Sequence, residues 1–66
     1  MLRDTKELVK QRRMDKKLTQ QQLADKLFIS RTTISMIESN DKYIPSTHLA
    51  KALAEELNFD WTLFFN

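Results

Sequence analysis

The sequence predicts an all-α fold, a compact five-helix domain with short connections. Apolar residues recur at helical spacing along most of the chain. Thr, Ser or Asp stands before several of these stretches, as a helix cap would, and the few pairs of β-branched residues lie inside a helical period. With 66 residues, the chain has room for a single domain, residues 1–66, with one small core.

The first two helices are predicted from their apolar stripes. The first is expected from about Asp4 to Lys16, with Leu8 and Val9 buried. The second is expected over Gln20–Leu27, because Thr19 can cap it and three glutamines form its first turn.

The third helix is expected over Arg31–Ser39, with Ser30 as its cap. Ile34 and Ile37 are three positions apart and face inward, whereas the polar residues of this segment fall on the opposite side. A small residue is needed where the second and third helices cross, and Ala24 supplies it.

The last two helices follow the proline. After Pro45, Ser46 can cap a fourth helix, in which Ala50 and Ala54 allow close packing. Asp60 can cap a last turn or two, which we expect from Trp61 to Phe65. The apolar stripe of the fourth helix consists of Leu49, Leu53 and Leu57.

The net charge of +2 is unevenly distributed. Residues 1–30 carry eight Lys or Arg against four Asp or Glu, a balance of +4, and residues 31–66 carry three against five, a balance of −2. Cations gather at the end of the first helix, where they can meet phosphates or simply complement the dipole of that helix. Both interpretations stay open for this basic cluster, which consists of Arg12, Arg13, Lys16 and Lys17.

Residues 18–39, LTQQQLADKLFISRTTISMIES, form two short predicted helices joined by a tight turn. This segment resembles the helix-turn-helix of the phage Cro and repressor family, the XRE-like bacterial regulators. The first helix of that motif begins with Gln and has Ala four positions later, and branched apolar residues recur in its second helix. Arg13, Glu38 and the terminal LNFDWTLFFN also resemble family features, so the likeness covers nearly the whole chain. Gln20, Ala24, Ile34 and Ile37 stand at the motif positions.

The resemblance implies a lambda-repressor-like DNA-binding domain whose third helix enters the major groove with its N-terminal turn against base edges. Arg31 is the strongest candidate, because a guanidinium can donate two hydrogen bonds to guanine O6 and N7. The alternative is that Arg31 binds a phosphate and only positions the helix. The expected base-reading residues are Arg31, Thr32, Thr33, Ser35 and Met36.

The resemblance also implies contacts with the DNA backbone. Gln20 stands where the family anchors a phosphate, and the free amides at a helix N-terminus suit an anion; its side chain can also brace Arg31. For Arg13 a structural role is at least as strongly favoured, in which it pairs with Glu38 and ties the first helix to the third. The expected backbone contacts are Gln20, Arg13, Ser39, Lys42 and Tyr43.

Glycine is absent, which departs from the family pattern. Family members often end a helix with glycine in the left-handed conformation, which costs other residues on the order of 1 kcal/mol. We expect Phe28 to recover this cost by burying its ring, unless the turn differs locally. The residues that stand at the corresponding positions are Lys17, Phe28, Asn40 and Asn58.

A two-fold homodimer is expected, because one such domain reads only a few base pairs and dimers bind half-sites about one helical turn apart. The last six residues carry more large apolar surface than a terminal turn easily buries. We expect Trp61 and Phe64 to close the core, which leaves Leu63 and Phe65 for the dimer interface.

Enzymatic and metal chemistry are not expected. The chain has no cysteine, and His48 has no second histidine with which to form a metal site. Glycine-rich phosphate loops are excluded, and we expect no cofactor. No apolar stretch long enough for a membrane span or a signal peptide is present, which favours a cytoplasmic, DNA-associated protein of a prokaryotic cell.

The leading functional hypothesis is a stand-alone, Cro-like transcriptional regulator that binds a symmetric operator in double-stranded DNA and represses transcription. Two alternatives keep the fold and act mainly through a protein partner. One is an antitoxin that binds a toxin, and the other is an anti-repressor that captures another repressor.

Overall fold

The computed structural model describes residues 3–40 and 42–65, with side chains from residue 5 onward. Its elements are α1 (Arg3–Asp15), α2 (Gln20–Leu27), α3 (Arg31–Ser39), α4 (Thr47–Leu57) and a terminal 3₁₀ helix (Trp61–Phe65). The described residues contain no strand, so the all-α prediction is confirmed. The count of five α-helices is not confirmed, because the last element is a 3₁₀ helix.

Three helices begin at the capping residues that the sequence predicts. The side-chain oxygens of Thr19, Ser30 and Ser46 each accept a hydrogen bond from the backbone amide three residues later, at 3.0, 3.2 and 3.2 Å. At Thr19 the pairing is reciprocal, because the Thr19 amide donates to Gln22 Oε1 at 2.8 Å. These bonds satisfy amides that a helix leaves without an internal partner, and each cap stabilises its helix by about 1 kcal/mol.

Three of the four expected left-handed positions are confirmed, with φ values of 59° at Lys17, 58° at Phe28 and 60° at Asn58. The expectation for Asn40 is wrong, because its φ is −105° and its ψ is 106°. The Asn40 side chain accepts a hydrogen bond from the Lys42 amide at 2.9 Å. This local turn lets the chain leave α3 in an extended conformation.

The expected burial of the Phe28 ring is also wrong, since its side chain is 95% exposed. The amides of Phe28 and Ile29 donate to the carbonyls of Asp25 and Ala24, at 3.3 and 3.0 Å, and so close the end of α2. Ile29, one residue later, packs against the core instead. The inward position at this turn is therefore taken by Ile29, and the Phe28 ring points into solvent.

The core lies where the four α-helices meet the 3₁₀ helix. Phe64 is fully buried, as expected, and its ring lies 5.6 Å from that of Phe59. Trp61 is half-buried and packs against the core. Leu8, which the sequence places inside, is also only half-buried. Thr5 takes the inward position beside Val9, and its hydroxyl donates to the Leu63 carbonyl at 3.0 Å. The buried core residues are Val9, Leu23, Ala24, Ile34, Ile37, Ala50, Leu53, Leu57 and Phe64.

None of the described helices combines the length and the apolar character needed to cross a bilayer.

Candidate nucleic-acid interface

α2 and α3 pack directly on each other, and their contact leaves the start of α3 at the surface. Ala24 is fully buried, as expected for a small residue at a helix crossing. Ile34 and Ile37 are also fully buried, which confirms the predicted inner face of α3. Because this inner face is fixed in the core, the opposite side of α3 and its first turn face outward.

Arg31 is exposed at the first position of α3. The structure gives its guanidinium no hydrogen bond or ion pair within the described residues. The first turn of α3 contains no acidic residue, so the positive end of the helix dipole and the guanidinium lie together without a counter-charge. This end of α3 therefore presents several hydrogen-bond donors that have no acceptor in the part of the chain that the structure describes.

The other expected base-reading residues differ in how available they are. Thr32 is exposed, whereas Thr33, Ser35 and Met36 are half-buried. The Thr33 hydroxyl lies 2.9 Å from that of Ser30 and so belongs to the cap of α3. Arg31 and Thr32 are consequently the outermost side chains of the five, and base reading by any of them stays a prediction.

The three glutamines at the start of α2 have three different partners. Gln21 Nε2 donates to Asp25 Oδ1 at 2.8 Å, and Gln22 forms the capping box with Thr19. Gln20 Nε2 donates to Glu38 Oε1 at 3.2 Å, so the side-chain amide of Gln20 binds Glu38. The first turn of α2 contains no acidic residue, so its backbone amides remain suited to a phosphate.

Arg13 pairs with Glu38, which is the structural role that the sequence analysis left open. Arg13 Nε donates to Glu38 Oε2 at 2.7 Å, Arg13 Nη2 donates to Oε1 at 3.1 Å, and Arg13 Nη1 donates to the Leu18 carbonyl at 2.7 Å. Glu38 also accepts from Gln20, so it joins α1, α2 and α3. A phosphate contact by Arg13 stays a prediction. It would use the guanidinium N–H groups that take part in none of these hydrogen bonds.

Arg12 and Lys16 bind the end of α4, a role that sequence reasoning missed. Arg12 Nη1 lies 2.9 Å from the Asn58 carbonyl oxygen and 3.5 Å from that of Leu57, and Lys16 Nζ lies 2.6 Å from that of Glu56. These carbonyls form the negative end of the α4 dipole. The two cations therefore complement the dipole of α4 as well as lying at the end of α1. No local signal could have indicated contacts between positions 40 to 46 residues apart.

The remaining expected DNA-backbone contacts lie at the end of α3 and in the loop after it. The Ser39 hydroxyl donates to the Ser35 carbonyl at 2.6 Å. Lys42 is exposed, whereas Tyr43 is half-buried against the core. Lys42 is the one Lys or Arg of this loop, and its side chain is accessible. The phosphate contacts of all three residues stay predictions.

The two expected dimer-interface residues lie in the 3₁₀ helix. Leu63 is half-buried, and Phe65 is 46% exposed. The Phe65 ring meets that of Trp61 edge to face, with centroids 5.8 Å apart and planes at 73°. Lys51 Nζ lies 4.9 Å from the centroid of the Trp61 ring. Phe65 thus retains apolar surface for a partner, and its role in dimerisation stays a prediction.

Comparison with known proteins agrees with this geometry. A family model described as helix-turn-helix matches residues 9–64. The uncharacterized HTH-type transcriptional regulator YqaF of Bacillus subtilis (strain 168) is 39% identical over 57 residues, which cover 86% of this chain and 74% of that protein. No solved structure matches the chain significantly. These matches point to a non-enzymatic DNA-binding protein, and the chain belongs to the XRE-type helix-turn-helix family.

Proposed function

We propose that the chain is a sequence-specific, Cro-like regulator of transcription that binds a two-fold symmetric operator as a homodimer and represses transcription by occupying it. The observation that supports this most strongly is the exposed Arg31 guanidinium at the start of α3, which has no partner within the described residues. A cation at the positive end of a helix is unfavourable by itself. Acceptors on a bound DNA duplex would offset that cost.

In this proposal the first turn of α3 enters the major groove. Arg31 donates to guanine O6 and N7, and Thr32 offers its methyl group to a thymine methyl. Thr33, Ser35 and Met36 lie further along the same helix and complete the base-reading surface.

The DNA backbone is held on both sides of this helix. The start of α2, with its capping Thr19 and no acidic residue in its first turn, is directed at one phosphate. Gln20 lies at this position, braced by Glu38. Ser39, Lys42 and Tyr43 contact the backbone at the other end of α3, with Lys42 as the main charge.

Dimerisation supplies the second half-site. One domain reads only a few base pairs, and a two-fold dimer doubles the length of sequence that is read. The proposal assigns the interface to Leu63 and Phe65, because Phe65 retains exposed apolar surface in the 3₁₀ helix.

Selection of bound sequences from a random pool of duplexes, at two salt concentrations, tests this proposal. Phosphate attraction weakens steeply as salt rises, whereas base readout persists. The expected result is a two-fold symmetric motif that survives the higher salt, with two chains per bound duplex by sedimentation. Binding without an enriched motif would contradict the proposal and favour an antitoxin or anti-repressor that acts through a protein partner.

A further inference from the structure

The turn between α2 and α3 carries an aromatic residue in an unfavourable setting. Phe28 has φ 58° and ψ 42°, and its side chain is 95% exposed. Glycine adopts this left-handed conformation freely, whereas a residue with a Cβ atom is disfavoured there. The ring also forgoes the stabilisation that burial would give. Within the described residues, the ring-to-ring and cation–π contacts involve other aromatic side chains, so none of these contacts offsets the exposure of the Phe28 ring.

Two of the three charged residues nearest to Phe28 in the sequence are cations. Lys26 and Arg31 are both exposed, two residues before and three residues after Phe28. The nearest acidic residue in the sequence, Asp25, accepts a hydrogen bond from Gln21 at 2.8 Å. The turn therefore presents an apolar ring flanked by two cations. This combination complements the edge of a DNA groove, where phosphates alternate with apolar deoxyribose carbons and thymine methyl groups.

The available area argues against a separate protein-binding surface at this turn. A phenylalanine side chain buries about 200 Å², whereas a stable protein interface buries about 800 Å² on each partner. The adjoining apolar residues, Leu27 and Ile29, are half-buried against the core and extend the exposed surface little. One exposed ring is sufficient for a single contact within a DNA interface.

We infer that Phe28 is a DNA contact, with its ring packed on deoxyribose carbons and thymine methyl groups at the edge of the major groove that receives α3. The inference rests on the proposed function, because entry of α3 into the groove brings the preceding turn to the groove edge. The ring adds affinity that does not depend on salt. Lys26 and Arg31 supply the salt-dependent attraction beside it.

Phe28→Gly tests this inference, because glycine removes the ring and fits the backbone. On a duplex obtained from the random-pool selection, fluorescence anisotropy should show binding weakened about tenfold at every salt concentration. The slope of log K against log salt should stay unchanged, since no charge is lost. Lys26→Ala should instead reduce that slope by about 0.9. The thermal midpoint of Phe28→Gly should not fall, because the left-handed position suits glycine.

Asn58→Gly is the matched control. Asn58 has φ 60° and ψ 59°, ends α4 and is exposed, so the variant changes a similar backbone position without changing charge. Its DNA affinity should equal that of the unaltered chain. Phe28→Asn is the second test variant, because asparagine also tolerates this conformation, and it should weaken binding to a similar degree.

The outcomes separate this inference from the proposed function. If the unaltered chain selects no duplex, both fail together. If it selects an operator that Phe28→Gly and Phe28→Asn bind with undiminished affinity, the inference alone is overturned. It is also overturned if the two variants dissociate the dimer in the absence of DNA, because the occupant of this surface would then be a second copy of the chain.

Discussion

Replacing Glu38 by alanine should destabilise the domain severely. The Glu38 side chain is 3% exposed and accepts two hydrogen bonds from Arg13 and one from Gln20. Alanine would leave the Arg13 guanidinium, which is 12% exposed, without its counter-charge. Removing one partner of a buried ion pair costs about 3–5 kcal/mol. Because Arg13 retains some access to water, we expect the lower end of this range, about 3 kcal/mol.

A loss of this size is a large fraction of the stability of a 66-residue domain, which is typically about 3–10 kcal/mol. Each kcal/mol shifts the midpoint of so small a domain by about 4–8 °C, so Glu38→Ala should lower it by about 12–24 °C. Thermal and urea unfolding followed by circular dichroism at 222 nm measure this change.

Glu56→Ala is the matched control, since Glu56 pairs with Lys16 at 4.0 Å and both side chains are about one-third exposed. An exposed pair contributes little, so this variant should lose at most about 1 kcal/mol. The double replacement Arg13→Met with Glu38→Leu should recover much of the loss, because it leaves no charge buried alone. A Glu38→Ala variant destabilised no more than Glu56→Ala would show that the Arg13–Glu38 pair does not stabilise the domain.

Three further predictions follow from local contacts. Thr19→Ala removes the oxygen that caps α2 and should cost about 1 kcal/mol in urea unfolding. Ala24→Leu inserts a larger side chain where Ala24 is fully buried, and should cost about 1–3 kcal/mol by the same measurement. Hydrogen bonds from the Thr62 amide and hydroxyl lower the pKa of Asp60. Because the pKa of Asp60 is depressed in the folded state, the charged carboxylate stabilises the fold above the ordinary aspartate pKa. This stabilisation is lost as the pH falls through the pKa that Asp60 has in the folded state. The 3₁₀ helix should therefore loosen below about pH 4, as a change in Trp61 fluorescence.

Conservative variants serve as controls for these predictions. Thr19→Ser keeps the capping oxygen and should retain most of the stability. Ala24→Ser adds little volume and should cost less than Ala24→Leu. Asp60→Asn keeps an acceptor oxygen that does not titrate, so its fluorescence should stay constant over the pH range in which that of the unaltered chain changes. Equal behaviour of a variant and its control would contradict the corresponding prediction.

The features that local sequence determines could be predicted. The bounds of α2 and α3 agree with expectation, because a capping side chain and the apolar period act within one or two turns. The cap at Ser46 agrees for the same reason. Membership of the helix-turn-helix family could be predicted as well, because Gln20 and Ala24 stand at fixed positions of a short motif.

The features that depend on distant contacts could not be predicted. The expectation that Phe28 is buried is wrong, because local sequence does not determine which residue of the turn, Phe28 or Ile29, reaches the core. The hydrogen bonds of Arg12 and Lys16 could not be predicted, because their acceptors lie at the end of α4, far away in the sequence. For Arg13 the sequence left two roles open, and the distance to Glu38 shows the ion pair.

Base reading by the first turn of α3 can be tested directly. The most direct test compares Arg31→Ala with Lys42→Ala on the selected operator and on all its single-base variants. Both changes remove one exposed cation, but we expect Arg31→Ala to abolish discrimination at one base position in each half-site, worth about 1–3 kcal/mol. Lys42→Ala should weaken all duplexes alike and lower the salt slope by about 1. Equal, sequence-independent losses in both variants would contradict base reading by Arg31.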